Sequence, residues 1–180
     1  MPDSIYNELF LHILEKYHNH SKWDNAEFKK IKTLSNTGVG SVGQDFIYEL
    51  CNKLNINSKL SKKSTEARDK NAYDIEIENI DFEIKTATEN TNSNFQFNHI
   101  RYHRKYEAII CLGVSPDNLY FNIWSKSDIS TGKAGNLVSM EKGANASYKL
   151  TKSKKSLFNI NEFENILLKF INNFGADPDN

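Results

Sequence analysis

The sequence is poor in the features that would tie it to a secreted, membrane-bound or strongly charged class. Its two cysteines, Cys51 and Cys111, both lie in apolar-rich stretches. They read as buried thiols of an intracellular protein and not as a disulfide framework. Net charge is lacking too, since 23 Lys and Arg balance 23 Asp and Glu over 180 residues. Overall charge therefore gives no ground for nucleic-acid binding, and any such surface must come from local clustering. No apolar run approaches the ~20 residues that span a bilayer, and no signal-peptide pattern opens the chain. A cytoplasmic protein without a membrane partner is expected. Of the 8 glycines, Gly38, Gly40 and Gly43 fall in one segment, Asn36-Thr-Gly-Val-Gly-Ser-Val-Gly43. That segment ends without Gly-Lys-Ser/Thr and follows no strand signal, which excludes a phosphate-binding P-loop. A bend into a following helix is the expectation.

What is present is organised around residues 73–85, Y-D-I-E-I-E-N-I-D-F-E-I-K. Ile75 and Ile77, then Ile80, Phe82 and Ile84, recur at every second position, so two strands with one buried face are predicted. Glu78-Asn79 breaks the alternation and supplies a two-residue hairpin turn. Counting from it pairs Ile77 with Ile80, Glu76 with Asp81, Ile75 with Phe82 and Asp74 with Glu83. Asp74, Glu76, Asp81, Glu83 and Lys85 then share the polar face. Like charges placed opposite each other destabilise a hairpin. A hard divalent cation held by one or two carboxylates and several waters compensates for them. A lysine beside such a cation can orient the attacking water and stabilise phosphate charge.

The residues Asp74…Glu83-Ile84-Lys85 resemble the signature of the PD-(D/E)xK nuclease superfamily, best known from type II restriction endonucleases. Tyr73 stands where the superfamily's Pro would be. The resemblance covers roughly residues 41–124. It implies that Asp74 and Glu83 ligate Mg2+, with Ile84 adding its backbone carbonyl, and that Lys85 orients the water. It also implies a support residue on the preceding helix: Gln44 fits that position best, and Glu49, well round the helix axis, is the alternative.

Along the rest of the chain, Asp3 or Ser4 caps a first helix with Ile5, Leu9, Phe10, Ile13, Leu14 and Tyr17 at helical spacing. His18 and His20 follow where it frays and lack the partners of a metal site. A second short helix is predicted around Trp23, Phe28 and Ile31. A third is predicted over residues 41–54, with Val42, Phe46, Ile47, Leu50 and Leu54 as its buried stripe. The charged stretch 59–71 carries Lys62, Lys63, Arg68 and Lys70, cations placed to hold a DNA backbone near the acidic site. Residues 86–97 are expected to be a polar loop or an irregular edge at the cleft. Residues 98–106 are expected to be a short basic helix offering His99, Arg101, His103, Arg104 and Lys105 to DNA. Residues 108–114 read as a central strand and 119–124 as its neighbour, turned at Pro116-Asp117. A short helix or turn over 125–131, a small two-stranded insertion within 132–151, a basic end at Lys149, Lys152, Lys154 and Lys155, and a last helix over 161–174 complete the pattern. Gly175 ends that helix.

The expected fold is α/β (mixed α+β), a central mixed β-sheet flanked by helices with a restriction endonuclease-like core. One nuclease domain over 1–175 is expected: a helical part at 1–37, the core at 41–124, and a β insertion with closing helix at 125–175, before a tail at 176–180. The expected activity is Mg2+-dependent cleavage of double-stranded DNA by a type II restriction enzyme. Such an enzyme would act as a homodimer on a palindromic site, alongside a cognate DNA methyltransferase. The alternatives are a repair nickase or junction resolvase of the same fold, and a non-catalytic DNA-binding module.

Overall fold

A two-residue hairpin turn of type I′ needs positive φ at both residues, and Glu78 (φ 47°) and Asn79 (φ 67°) adopt it here. In the computed structural model, which describes residues 3–17, 21–61 and 73–174, this turn joins β2 (Ile75–Ile77) to β3 (Ile80–Thr88). The register is Ile77↔Ile80, Glu76↔Asp81 and Ile75↔Phe82, as the alternation predicts. β1 (Ser58–Leu60) adds to the outer side of β2, so the charged stretch 59–71 opens with a strand. Lys62, Lys63, Arg68, Lys70, His18, His20 and Gly175 lie outside the described residues.

On its other side β3 pairs in parallel with β5 (Ala108–Val114), which is buried along its whole length. β6 (Leu119–Ser125) and then β9 (Phe158–Asn159) follow antiparallel. The result is a six-stranded mixed sheet in the order β1-β2-β3-β5-β6-β9. One face packs on α2 (Asn36–Lys53) and α4 (Phe163–Phe174). There Ile47, Cys51, Phe163 and Leu167 meet Ile75, Phe82, Ile110 and Phe121. The other face is covered by a second, three-stranded sheet in the order β4-β8-β7. It comprises β4 (Asn94–Ile100), β7 (Leu137–Glu141) and β8 (Ser147–Ser153). Phe95, Phe97, Ile100 and Leu150 from this sheet pack on Ile109 and Cys111 of β5. The expected mixed α/β class with a central mixed sheet is therefore observed, flanked by helices on one face and by strands on the other.

Several local expectations are corrected. Of the two expectations for residues 86–97, the irregular edge at the cleft is observed and the loop is not: β3 extends to Thr88, and β4, an edge strand, begins at Asn94 because Phe95 and Phe97 alternate into the inter-sheet core. Residues 98–106 do not form a basic helix, since β4 ends at Ile100 and turns lead into β5. The glycines do not bend the chain ahead of a helix. Ser35 caps α2 by accepting Gly38 N–H at 3.1 Å, and the glycines lie inside its first turns. Gly43 is required there by close packing, because a Cβ would overlap Thr86 Oγ1 and come within 2.9 Å of Thr86 Cβ. Val42 is exposed and does not belong to the buried stripe. Around Trp23 and Ile31 the chain forms turns and a 3-10 helix, Lys29–Thr33. The insertion's two strands gain β4 as a third. α3 (Lys126–Ser130) is capped by a reciprocal Ser125–Asp128 pair. α1 (Asp3–Tyr17) forms as expected, yet its apolar residues face solvent, from Ile13 at 43% to Tyr6 at 69% exposed. Among the described residues no helix is long and apolar enough to cross a membrane.

Candidate active site

Alternation along β3 sends Phe82 and Ile84 into the helix-side core and Glu83 and Lys85 to the opposite face. Glu83 is 0% and Lys85 16% exposed, and Lys85 Nζ donates to Glu83 Oε1. Asp74 stands one residue before β2. Its N–H donates to Phe82 O at 2.9 Å, and its Oδ2 accepts Ile84 N–H at 2.7 Å. The ladder stops at Ile75↔Phe82. Asp74 is thus held against the backbone of β3 and is not a regular cross-strand partner of Glu83. Gln44, projecting from α2, donates through Nε2 to Asp74 O at 3.1 Å. Glu49 is exposed on another face of that helix. The geometry brings Gln44, Asp74, Glu83, Ile84 and Lys85 together and leaves Glu49 outside.

Two neighbouring carboxylates out of water repel each other. Burial pushes the Asp74 carboxyl up to about 6, and the Glu83 charge adds to the rise. Lys85, the Ile84 N–H and Arg104 oppose it. Arg104 reaches Glu83 Oε1 at 3.2 Å and Oε2 at 3.4 Å. Its guanidinium therefore turns inward, not outward as a basic helix face would place it. Lys126 Nζ donates to Arg104 O and lies 5.1 Å from the centre of the Tyr106 ring. Tyr106 is 1% exposed, and its hydroxyl has no hydrogen-bond partner among the described residues. Burial, then the Glu83 charge, raise the pKa of this phenol.

A hard cation fits this donor set. Mg2+ is satisfied by one or two carboxylates, a carbonyl and water, and an orphaned buried hydroxyl beside Glu83 calls for a water or ligand oxygen. Among the described residues no group of three or more His, Cys, Asp or Glu forms a closed metal cage. Asp74 and Glu83 are the two carboxylates that would hold such an ion.

Lys85 lines a cleft of about 390 Å³ between the start of α2, β3 and β4, with Asn36, Gly40, Gln96, Asn98 and His99 on its walls. His99 (φ 58°) sits at the irregularity in β4 between Phe97 and Ile100. Such bulges re-aim a side chain. The other cations expected to meet DNA are distributed unevenly. Arg101 pairs with Glu141 at 3.5 Å, His99 lies 3.8 Å from the same carboxylate, and His103 and Lys105 are exposed. Lys154 and Lys22 converge on Glu89, which is 2% exposed, at 2.9 and 2.7 Å. Lys152 covers the Trp124 ring at 5.1 Å. Glu89, Tyr106 and Lys126 were not singled out in the sequence. Glu89 could have been, because it continues the two-residue period of Glu83 and Lys85. The thiols of Cys51 and Cys111 are buried; burial raises both, Cys51 to about 11.

No family model matches the sequence, and no curated relative aligns with it. Among solved structures, a bacterial homing endonuclease, I-Ssp6803I, is similar, with a TM-score of 0.41 and 11% identity over 66% of this chain and 77% of that one.

Proposed function

We propose that the protein is a Mg2+-dependent DNA endonuclease of the PD-(D/E)xK type, acting as a type II restriction enzyme. The observation that carries this reading is the clustering of Asp74, Glu83 and Lys85, with Lys85 also on the wall of the cleft and Gln44 bonded behind Asp74. Asp74, Glu83 and the Ile84 carbonyl would hold the ion. A bound Mg2+ would supply Lewis-acid chemistry to the phosphodiester. Lys85 orients the attacking water and meets the charge that grows on the phosphate. Gln44 fixes the main chain at Asp74, so that its carboxylate does not rotate away when DNA arrives.

Cutting both strands of a symmetric sequence requires two such centres, and the second is assigned to a second copy of the chain. The exposed apolar residues of α1, Ile5, Tyr6, Leu9, Phe10, Ile13 and Leu14, support a contact between copies. A cognate DNA methyltransferase would protect the host's own sites.

Purified protein, supercoiled plasmid and Mg2+ test the reading. Discrete linear fragments that disappear with Asp74→Ala, and binding without cutting in Ca2+, are expected. Nicked circles alone would make the protein a nickase, and cleavage confined to branched substrates would make it a resolvase. Full activity of Asp74→Ala would remove the site assignment.

A further inference from the structure

Glu83 is the most enclosed member of the site, and both of its oxygens are taken by the protein's own cations. Lys85 holds Oε1, and Arg104 straddles Oε1 and Oε2 at 3.2 and 3.4 Å. Arg104 is itself only 19% exposed. The local charge closes without any ion, since Asp74 and Glu83 are matched by Lys85 and Arg104. A divalent cation on the same carboxylates would leave that group with two surplus positive charges. Buried like charges repel strongly, and one of the two side chains must then give up Glu83. Lys85 sits on β3 beside Glu83 and is confined to the cleft wall. Arg104 differs because its main chain is pinned by Lys126 at its carbonyl, while its long side chain crosses to Glu83. Its guanidinium can move without moving the backbone. A planar fork with five donors that loses a carboxylate is matched by a phosphate.

We propose that Arg104 is a built-in counter-ion for Glu83 that hands the carboxylate to the divalent cation and takes the DNA phosphate in exchange, so that cation and DNA bind cooperatively. This rests on the metal-nuclease reading above. Arg104 is a positioning residue in the ion-free enzyme and contacts DNA only in the loaded one. It keeps Glu83 satisfied, and so withholds a complete metal site, until DNA is present.

The test is calorimetric titration of Ca2+ into the full chain, with and without a short DNA duplex, for wild type, Arg104→Gln, Arg104→Lys and, as a control, Arg101→Gln. In wild type the duplex should tighten Ca2+ binding about ten-fold or more, and Ca2+ should tighten duplex binding by the same factor. Arg104→Gln should bind Ca2+ about ten-fold tighter without DNA, and the coupling should fall toward one. Arg104→Lys should keep part of the coupling. Arg101→Gln removes an equal charge from the same segment but from a different partner, Glu141, and should leave the coupling intact. Arg104→Gln that binds Ca2+ no tighter, or couples as wild type does, overturns the proposal, as does an equal effect of Arg101→Gln. Should Arg104→Gln fail to fold by circular dichroism, Arg104→Lys decides, and wild-type coupling in that variant overturns the exchange. Wild type that neither binds Ca2+ nor cuts plasmid in Mg2+ removes the nuclease reading itself. Ca2+ binding and cutting without Arg104-dependent coupling removes only the exchange.

Discussion

Replacing Asp74 with Asn in the ion-free protein should stabilise it, and only above a defined pH. Asn keeps an oxygen for the Ile84 N–H now bonded at 2.7 Å and has nearly the same volume, so packing is little disturbed. What it removes is a charge that burial and Glu83 disfavour. A carboxyl moved from its usual 3.8 to about 6 is destabilised in its charged form by about 3 kcal/mol. The folded state holds this proton more tightly than the unfolded one. The native advantage is therefore fully present below about pH 4 and lost as pH rises to 6 and beyond. In EDTA, urea denaturation at pH 8 should show Asp74→Asn more stable than wild type by up to about 3 kcal/mol, and at pH 3.5 the two should nearly coincide. Asp81, whose pKa is also raised, first by burial and then by Glu107, is present in both proteins and cancels in the difference. Saturating Mg2+ should shrink the gap, because an ion bound by the aspartate stabilises only the wild type. A stability difference that does not vary with pH, or one that favours wild type at pH 8, would refute the reasoning.

Glu83→Ala should act in the opposite sense, destabilising by about 3–5 kcal/mol in urea denaturation, because Lys85 and Arg104 lose a shared buried acceptor; a neutral or stabilising result would mean that the two cations reach solvent easily. Lys85→Ala should abolish cleavage with DNA affinity nearly unchanged in Ca2+, read by single-turnover cutting and by binding titration. A loss of binding instead would make Lys85 a phosphate anchor. Gly43→Ala should cost about 1–3 kcal/mol through its clash with Thr86, and Thr86→Ala in the same chain should recover only part of it, because the Cβ that alanine keeps still lies 2.9 Å away.

The parts of the fold that local pattern determines were legible. The hairpin register follows from a period of two and one turn. β5 and β6 follow from apolar runs around Pro116-Asp117, and α4 from a helical stripe whose Phe163 and Leu167 are buried. The misreadings share a cause, a competing local signal overruled at a distance. Asn90, Asn92, Asn94 and Gln96 argue for a loop within residues 86–97, although Phe95 and Phe97 already alternate; only the neighbouring sheet makes that pair a buried edge. Glycine lowers helix propensity, so Gly38, Gly40 and Gly43 argued for a bend. At Gly43 the requirement comes from the other layer, since α2 can approach β3 at Thr86 only without a side chain there.

The same division runs through the candidate site. Asp74, Glu83 and Lys85 are close in sequence, and hairpin geometry brings them together; Gln44, 30 residues before Asp74, was reachable through the family pattern. Arg104, 21 residues after Glu83, belongs by sequence to a cation cluster that resembles a phosphate-binding face, yet it turns inward to Glu83. Counting charge within the hairpin points elsewhere. Asp74 and Glu83 bring two negative charges to one buried place, and Lys85 supplies one positive charge, so an ion-free fold must import another cation. The strand that lies against β3 at Glu83 is β5, through Ile109, and the segment that feeds β5 carries Arg104 and Lys105. Of these, Lys105 is exposed and Arg104 is not. The second cation was thus implied by the carboxylates, and its position by the parallel pairing that the apolar run at 108–114 dictates.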